Sequence, residues 1–306
     1  MINTLYIIGN GFDRAHDLNS SYKEFKEWLS NKRISLLEDI EAVWNCNSEL
    51  WYNFEKVLGE IDFEYVQKSF GKYNETKIIQ TYNELEEHYP QLPPNLSFHC
   101  LAERLRPLAK EIRSAFNDWV LTLNQSLSDK HPMYNLDKEA FYITFNYTET
   151  LEKLYNIPSS SILHIHGKAN SDDVLLFGHN KSAGQIEYEI EEQILGCNHT
   201  DIDDFSLCIG TLNKNVDFNV YKVSHYFEKL IDVNRIFILG YSFSDIDSLY
   251  IDNIFKKTLK NQPFWCISYY SKLDKERIFN TLIDRHNIGL EKYILFKLSE
   301  LDTIIL

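Results

Sequence analysis

The chain has 306 residues, enough to bury a sizeable core in one large domain or two moderate ones. Its 31 basic and 45 acidic side chains leave a formal charge of −14, a field that repels polyanions and counts against nucleic acid as a partner. Five cysteines (Cys46, Cys100, Cys197, Cys208 and Cys266) form no C-x-x-C pair, which excludes a four-cysteine zinc site and fits reduced thiols in a cytoplasm.

The first residues run straight into a strand-like segment with no basic leader, and no apolar stretch approaches the roughly 18 residues that a membrane span needs. A soluble cytoplasmic protein is expected. Residues 4–13, TLYIIGNGFD, open as an apolar strand and break at Gly9 and Gly11 into a helix start. Glycines there let the backbone approach a ligand closely, and amides at a helix N-terminus suit the phosphates of a nucleotide. The third glycine of G-x-G-x-x-G is missing, with Arg14 in its place. Asp13 repels a pyrophosphate; it either caps the helix that follows or accepts from a ribose hydroxyl.

From 21 to 130 the texture turns helical: YKEFKEWLSNKRISLLEDIEAV, WYNFEKVLGEIDFEYVQKSF and LAERLRPLAKEIRSAFNDWVLTL carry apolar residues at helical spacing, and PQLPPN at 90–95 divides them. This region reads as a helical insertion after the first strand, serving either as structural cover or as a lid. Glu55 shares a helical face with Trp51 and reads more readily as a solvated charge than as an anion supplied to a site. Further β-rich runs follow at 140–146, 161–166, 173–178, 206–210, 235–240, 264–269 and 293–297, with helical stretches at 218–233, 246–260 and 272–286. Several of these strands are apolar throughout, as in a parallel sheet covered on both faces. The fold expected is α/β, Rossmann-like and doubly wound, with a mostly parallel sheet built from 1–20 and 131–306.

Three later motifs carry polar groups at strand ends. Asn146 in TFNYTETLEKLY sits at a strand's C-terminal lip; it either forms the turn or hydrogen-bonds a substrate or a water. His164 and His166 in ILHIHGKA lie two apart, so both would face one side of a strand. His166, at the strand tip, is the better placed for proton transfer near neutral pH. In FILGYSFSDID a strand again breaks at Gly240, and Ser242 or Ser244 can cap the next helix.

In combination, GNGFDRAH with Leu18 and SSY, WYNFEKVL, FNYTETLEKLY, HIHG, LLFGHN and LGYSFSDID resemble the abortive-infection AbiH family of bacterial anti-phage proteins. That family in turn resembles the sirtuin-like NAD-binding domains. The resemblance matches GNGF to the sirtuin Gly-Ala-Gly turn, Asn146 to the Asn of Thr-Gln-Asn-Ile-Asp, His166 to the His of His-Gly, and Gly240–Ser242 to the late Gly-Thr-Ser turn. Asp13 stands where sirtuins carry a small hydroxyl residue, and the cysteine pairs of the deacylase zinc ribbon are missing.

The resemblance implies NAD as substrate with no metal. It would be held by Gly9, Asn10, Gly11, Phe12 and Asp13 on one side and by Gly240, Tyr241 and Ser242 on the other. Asn146 would orient a water or ribose hydroxyl and His166 would act as general base. The products would be nicotinamide and ADP-ribose, and NAD depletion would arrest the infected cell. An ADP-ribosyl transferase and a non-catalytic nucleotide sensor are the alternatives, and a nuclease is disfavoured by charge. The partner expected is NAD or a related nucleotide; a second copy of the chain or a phage-derived trigger is left open.

Overall fold

Six apolar runs form strands: β1 Thr4–Ile8, β2 Phe141–Thr144, β3 Ile162–His164, β4 Arg235–Leu239, β5 Phe264–Tyr269 and β6 Tyr293–Lys297. The computed structural model describes residues 2–44, 51–62, 65, 96–171, 175–193 and 206–305. All six strands pair in parallel, in the order β3-β2-β1-β4-β5-β6. β1 is therefore central, with Ile7 level with Ile143 on one side and Ile238 on the other.

Side chains alternate across this sheet, and both faces are apolar, as a doubly covered parallel sheet demands. Leu5, Ile7, Ile143, Ile236, Ile238 and Ile267 enter one buried cluster; Tyr6, Ile8, Tyr142, Phe237 and Leu239 enter the other. On that second face the Tyr6 ring stacks between Tyr142 and Phe237, each at 4.8 Å, so three neighbouring strands share one aromatic row. The Tyr142 hydroxyl escapes burial cost by donating to the Asp137 carbonyl at 2.7 Å.

The helices are α1 Asn10–Ala15, α2 Tyr22–Lys32, α3 Ile34–Val43, α4 Phe54–Val57, α5 Leu96–Ser126, α6 Thr150–Tyr155, α7 Ala183–Gln193, α8 Val216–Phe227, α9 Ser248–Thr258, α10 Lys272–Phe279 and α11 Leu301–Ile305. Among the described residues, two expected strands are not seen. Residues 206–210 are helical, with Leu207 exposed and Cys208 and Ile209 buried. An apolar run this short does not distinguish strand from helix. Of the run 173–178, residues 175–178 lie outside any strand, and only His179 forms an isolated parallel bridge, to Asn213. Residues 172–174 and the breaker at 90–95 fall outside the described residues, as do Cys46 and Cys197. Cys208 and Cys266 are free and buried.

The chain divides into two compact units. The first, containing the sheet, takes residues 1–21, 117–176 and 216–306; the second takes 22–116 and 177–215. The segment 177–215 thus belongs with the helical residues 22–116 and not with the sheet, because its side chains pack there. The Phe177 ring stacks on Phe116 at 4.2 Å, within a group that includes Phe25, Phe54 and the Trp51–Phe54 stack at 4.7 Å.

Within this second unit Glu55 is no solvated charge. Its carboxylate takes the fully buried Lys214 ammonium at 2.9 and 3.0 Å on its two oxygens. Removing one member of a buried ion pair strands the other charge in low dielectric. Glu55→Gln is expected to destabilise the protein by about 3–5 kcal/mol in urea denaturation, and the double variant Glu55→Leu with Lys214→Met by clearly less. Equal loss in the single and double variants would show that the pair itself is not what holds this region.

Candidate functional site

The strand order reverses direction between β1 and β4, and in open parallel sheets the crevice at the carboxyl ends of such strands is where ligands gather. Both glycine-bearing turns lie there. Gly9, in extended conformation, ends β1 and starts α1 with no side-chain cap; Gly240, at φ +63°, ends β4. The two turns pack backbone against backbone. Gly9 N donates to the Leu239 carbonyl at 3.0 Å and Gly11 N to the Gly240 carbonyl at 2.8 Å. A Cβ on Gly9 would sit 2.6 Å from Tyr241 Cα, and one on Gly240 would sit 2.2 Å from Phe12 N.

This closeness changes the reading of the glycines. Of the amides expected to cradle a pyrophosphate, those of Gly9 and Gly11 are committed to the β4 turn and that of Phe12 to the Gly9 carbonyl at 2.9 Å. The glycines are required because protein backbone, not phosphate, approaches them. Asn10 is likewise occupied, exchanging hydrogen bonds with Ser20: its Nδ2 donates to the Ser20 carbonyl at 2.9 Å and its Oδ1 accepts from the Ser20 hydroxyl at 2.6 Å.

Asp13 follows neither alternative read from the sequence. It lies inside α1, buried, and its two oxygens accept from the hydroxyls of Thr148 at 2.5 Å and Thr150 at 2.7 Å. Burial pushes its carboxyl above the ordinary range, while the hydroxyls of Thr148 and Thr150 and the Asn146 side chain pull it back. The carboxylate thus ties the β1 turn to the segment that starts α6. Asn146 makes a second tie: its Nδ2 donates to the Gly9 carbonyl at 3.2 Å, and its backbone N–H donates to Thr144 Oγ1 at 3.1 Å. Its Oδ1 is buried and has no hydrogen-bond partner.

His166 lies in the turn after β3, and its ring meets two acceptors. Nδ1 faces the Phe145 carbonyl at 3.2 Å and Nε2 faces Asp247 Oδ1 at 3.0 Å. Both ring nitrogens thus face protein acceptors, and the ring joins the end of β2 to Asp247. Rings surround it: Phe145 edge-on at 5.4 Å, Tyr147 stacked at 5.6 Å and Tyr250 edge-on at 6.0 Å. Asp247 was not singled out from the sequence. A carboxylate just before a helix reads as a cap, and only its distance to a histidine 81 residues away marks it otherwise.

His164 and His166 do not share a direction as alternation would have it, because the strand ends at His164. His164 turns instead to Glu152 Oε1 at 3.1 Å and the Asn146 carbonyl at 3.2 Å. Burial raises the Glu152 carboxyl, but the hydrogen bond and charge of His164, with Lys168 nearby, hold it below the ordinary range. In the β4 turn Tyr241 is buried with its ring on Phe145 at 4.7 Å, and Ser242 is exposed. Among the described residues, no three or more His, Cys, Asp or Glu side chains stand together as a metal site, and no helix is long and apolar enough to cross a membrane.

The family model described as Bacteriophage abortive infection AbiH matches residues 5–269. The chain belongs to the AbiH family. The match runs from the second residue of β1 to the last of β5, and so contains Asp13, Asn146, His166 and Asp247. No curated protein and no solved structure matches the chain. Membership of AbiH assigns the protein to abortive infection, the defence of bacteria against phage.

Two predictions concern the polar frame of this AbiH chain. Asp13→Ala leaves two buried threonine hydroxyls without their acceptor and is expected to cost about 2–5 kcal/mol by denaturant melting. A loss under 1 kcal/mol would show that the hydroxyls find other partners. The second concerns His16, at the end of α1, which is buried with Nδ1 on the Phe12 carbonyl at 2.8 Å and Nε2 on the Tyr155 hydroxyl at 2.5 Å.

Burial holds the His16 imidazole below its ordinary pKa of 6.5, and it does the same to His179 in the second unit. The folded state therefore resists a proton that the unfolded chain takes up below about pH 6.5, and stability is lost as pH falls through that window. Asp13, shifted upward, acts in the opposite sense at lower pH. The melting temperature is thus expected to drop from pH 7.5 to 5.5, and His16→Gln to drop less steeply. Parallel curves for variant and wild type would remove His16 as a cause.

Proposed function

We propose that this AbiH-family chain acts in abortive infection by cleaving NAD to nicotinamide and ADP-ribose at the carboxyl ends of β1–β4. The observation that carries the reading is the His166–Asp247 pair, 3.0 Å apart and buried among rings at the ligand-gathering edge of a parallel sheet. A carboxylate beside an imidazole stabilises the imidazolium formed when the ring accepts a proton, the arrangement that general-base work requires. The resemblance to sirtuin-like NAD domains, stated from the motifs, supplies the identity of the nucleotide.

In this reading the bond between nicotinamide nitrogen and ribose C1′ breaks, and its electron pair leaves with the pyridine ring. Positive charge develops on the ribose as an oxocarbenium-like state, and the oxygen of a water adds to C1′. The proton lost by that water passes to the His166–Asp247 pair, and the neighbouring carboxylate stabilises the charge. Asn146 Oδ1, the buried acceptor with no protein partner, orients the attacking water or a ribose hydroxyl. The pyrophosphate does not sit on the Gly9–Phe12 amides, since three of those are bonded within the protein.

Those same engaged amides, together with a histidine whose two nitrogens both face protein acceptors, favour a second reading in which a nucleotide is bound and sensed without turnover. Purified protein and phage-infected cells distinguish the two by NAD and nicotinamide measurements. His166→Ala, Asp247→Asn and Asn146→Ala are each expected to lower NAD cleavage by about 10²–10⁴-fold and to abolish protection. Calorimetric binding of NAD with no cleavage under infection would support the sensor. Labelled NAD incorporated into protein would support a transferase. Full protection by His166→Ala and Asn146→Ala would overturn the catalytic reading.

A further inference from the structure

Two phenol hydroxyls beside the His166–Asp247 pair donate to nothing. Tyr241 follows Gly240 in the turn after β4, and Tyr250 lies in the first turn of α9; both are buried, and neither hydroxyl has a hydrogen-bond partner. Their rings meet on Phe145, Tyr241 at 4.7 Å and Tyr250 at 5.9 Å, and Tyr250 also lies edge-on to the His166 ring at 6.0 Å. Burial, and after it the charge of Asp247, hold both phenols protonated, so each remains a donor.

A buried hydroxyl left without a partner costs roughly 1–3 kcal/mol, and stable cores keep few of them. Here two fall in one aromatic cluster, against the His166–Asp247 pair. Between them Phe243 is held at φ +53°, a left-handed backbone that a bulky side chain seldom adopts. Unsatisfied donors and backbone strain together at one turn mark a position kept for binding at the expense of stability.

The chemistry of the group that would satisfy this turn is narrow. Two neutral donors and one carboxylate match neighbouring hydroxyls, each of which accepts one hydrogen bond and donates another. A phosphate or a carboxylate would meet the negative charge of Asp247. We propose that Tyr241 and Tyr250 are specificity-determining donors to the vicinal diol of a ribosyl ligand, with Asp247 accepting from the same diol. This deepens the nucleotide reading above and rests on it for the ribosyl identity of the ligand.

Tyr241→Phe and Tyr250→Phe test it, with circular dichroism to confirm folding. Because the hydroxyls have no protein partner, neither variant is expected to lower the ligand-free melting temperature. Each is expected to weaken binding of ADP-ribose, NAD and adenosine about tenfold in calorimetry, with 2′,3′-dideoxyadenosine binding poorly to wild type and unchanged in the variants. A clear drop in melting temperature in both variants would overturn the proposal, since the hydroxyls would then have partners in the protein. So would unchanged affinities, or a wild type that binds none of the three ribosyl compounds. Ribosyl binding weakened in the variants, with no NAD cleavage by wild type, would leave the diol site standing and refute the glycohydrolase. NAD cleaved by both variants with wild-type KM would do the reverse.

Discussion

The hydrogen bond from Gly11 N to the Gly240 carbonyl fixes the rest of the sheet unit. A parallel sheet in the order β3-β2-β1-β4-β5-β6 forces the turns after β1 and β4 to leave side by side, and each must turn away from the strands in little space. Bare glycine at 9, 11 and 240 lets the two backbones close to hydrogen-bond distance, where any Cβ would collide. The closure sets the direction of α1, and with it the burial of Phe12 and Asp13. It also commits the amides that an open turn would offer to a phosphate.

Around this junction the strand ends are joined by polar contacts between segments far apart in sequence. Asp13 joins α1 to Thr148 and Thr150, Asn146 joins the end of β2 to Gly9, Glu152 joins α6 to His164, and His166 joins the end of β3 to Asp247. In a low-dielectric interior such groups tolerate little rearrangement, because an abandoned partner bears its full desolvation cost. His16 lies between a carbonyl and a hydroxyl that can donate, so it is satisfied neutral; His164 and His166 each lie between two acceptors. His166 is paired with a carboxylate inside an aromatic cluster at the carboxyl ends of the strands.

The second unit is held differently. The rings of Phe25, Trp51, Phe54, Phe116 and Phe177 pack on one another, and a buried ion pair, Glu55 with Lys214, joins a short helix to a residue 159 positions later. Nothing local distinguishes such a glutamate from a surface charge. Its partner lies in a segment whose apolar residues suggest strands but which contains a helical turn.

The α/β class, the parallel character of the sheet, all six strands to within a residue or two at their ends, and the two glycine turns are legible from the residues alone. Those properties follow from local preference: unbroken apolar runs, helical spacing and glycine at a break are complete within a dozen residues. The placement of Asn146 and His166 at strand ends is legible there too. What those residues touch is set by contacts between distant segments. Whether the Gly9–Phe12 amides face a ligand or the Gly240 turn, whether Asp13 caps a helix or binds two threonines, and whether His166 has a carboxylate beside it depend on contacts across 80 to more than 200 residues of chain. No periodicity encodes such distances, so Asp247 and Tyr250 acquire a functional reading only once β3 and β4 have taken their places in the sheet.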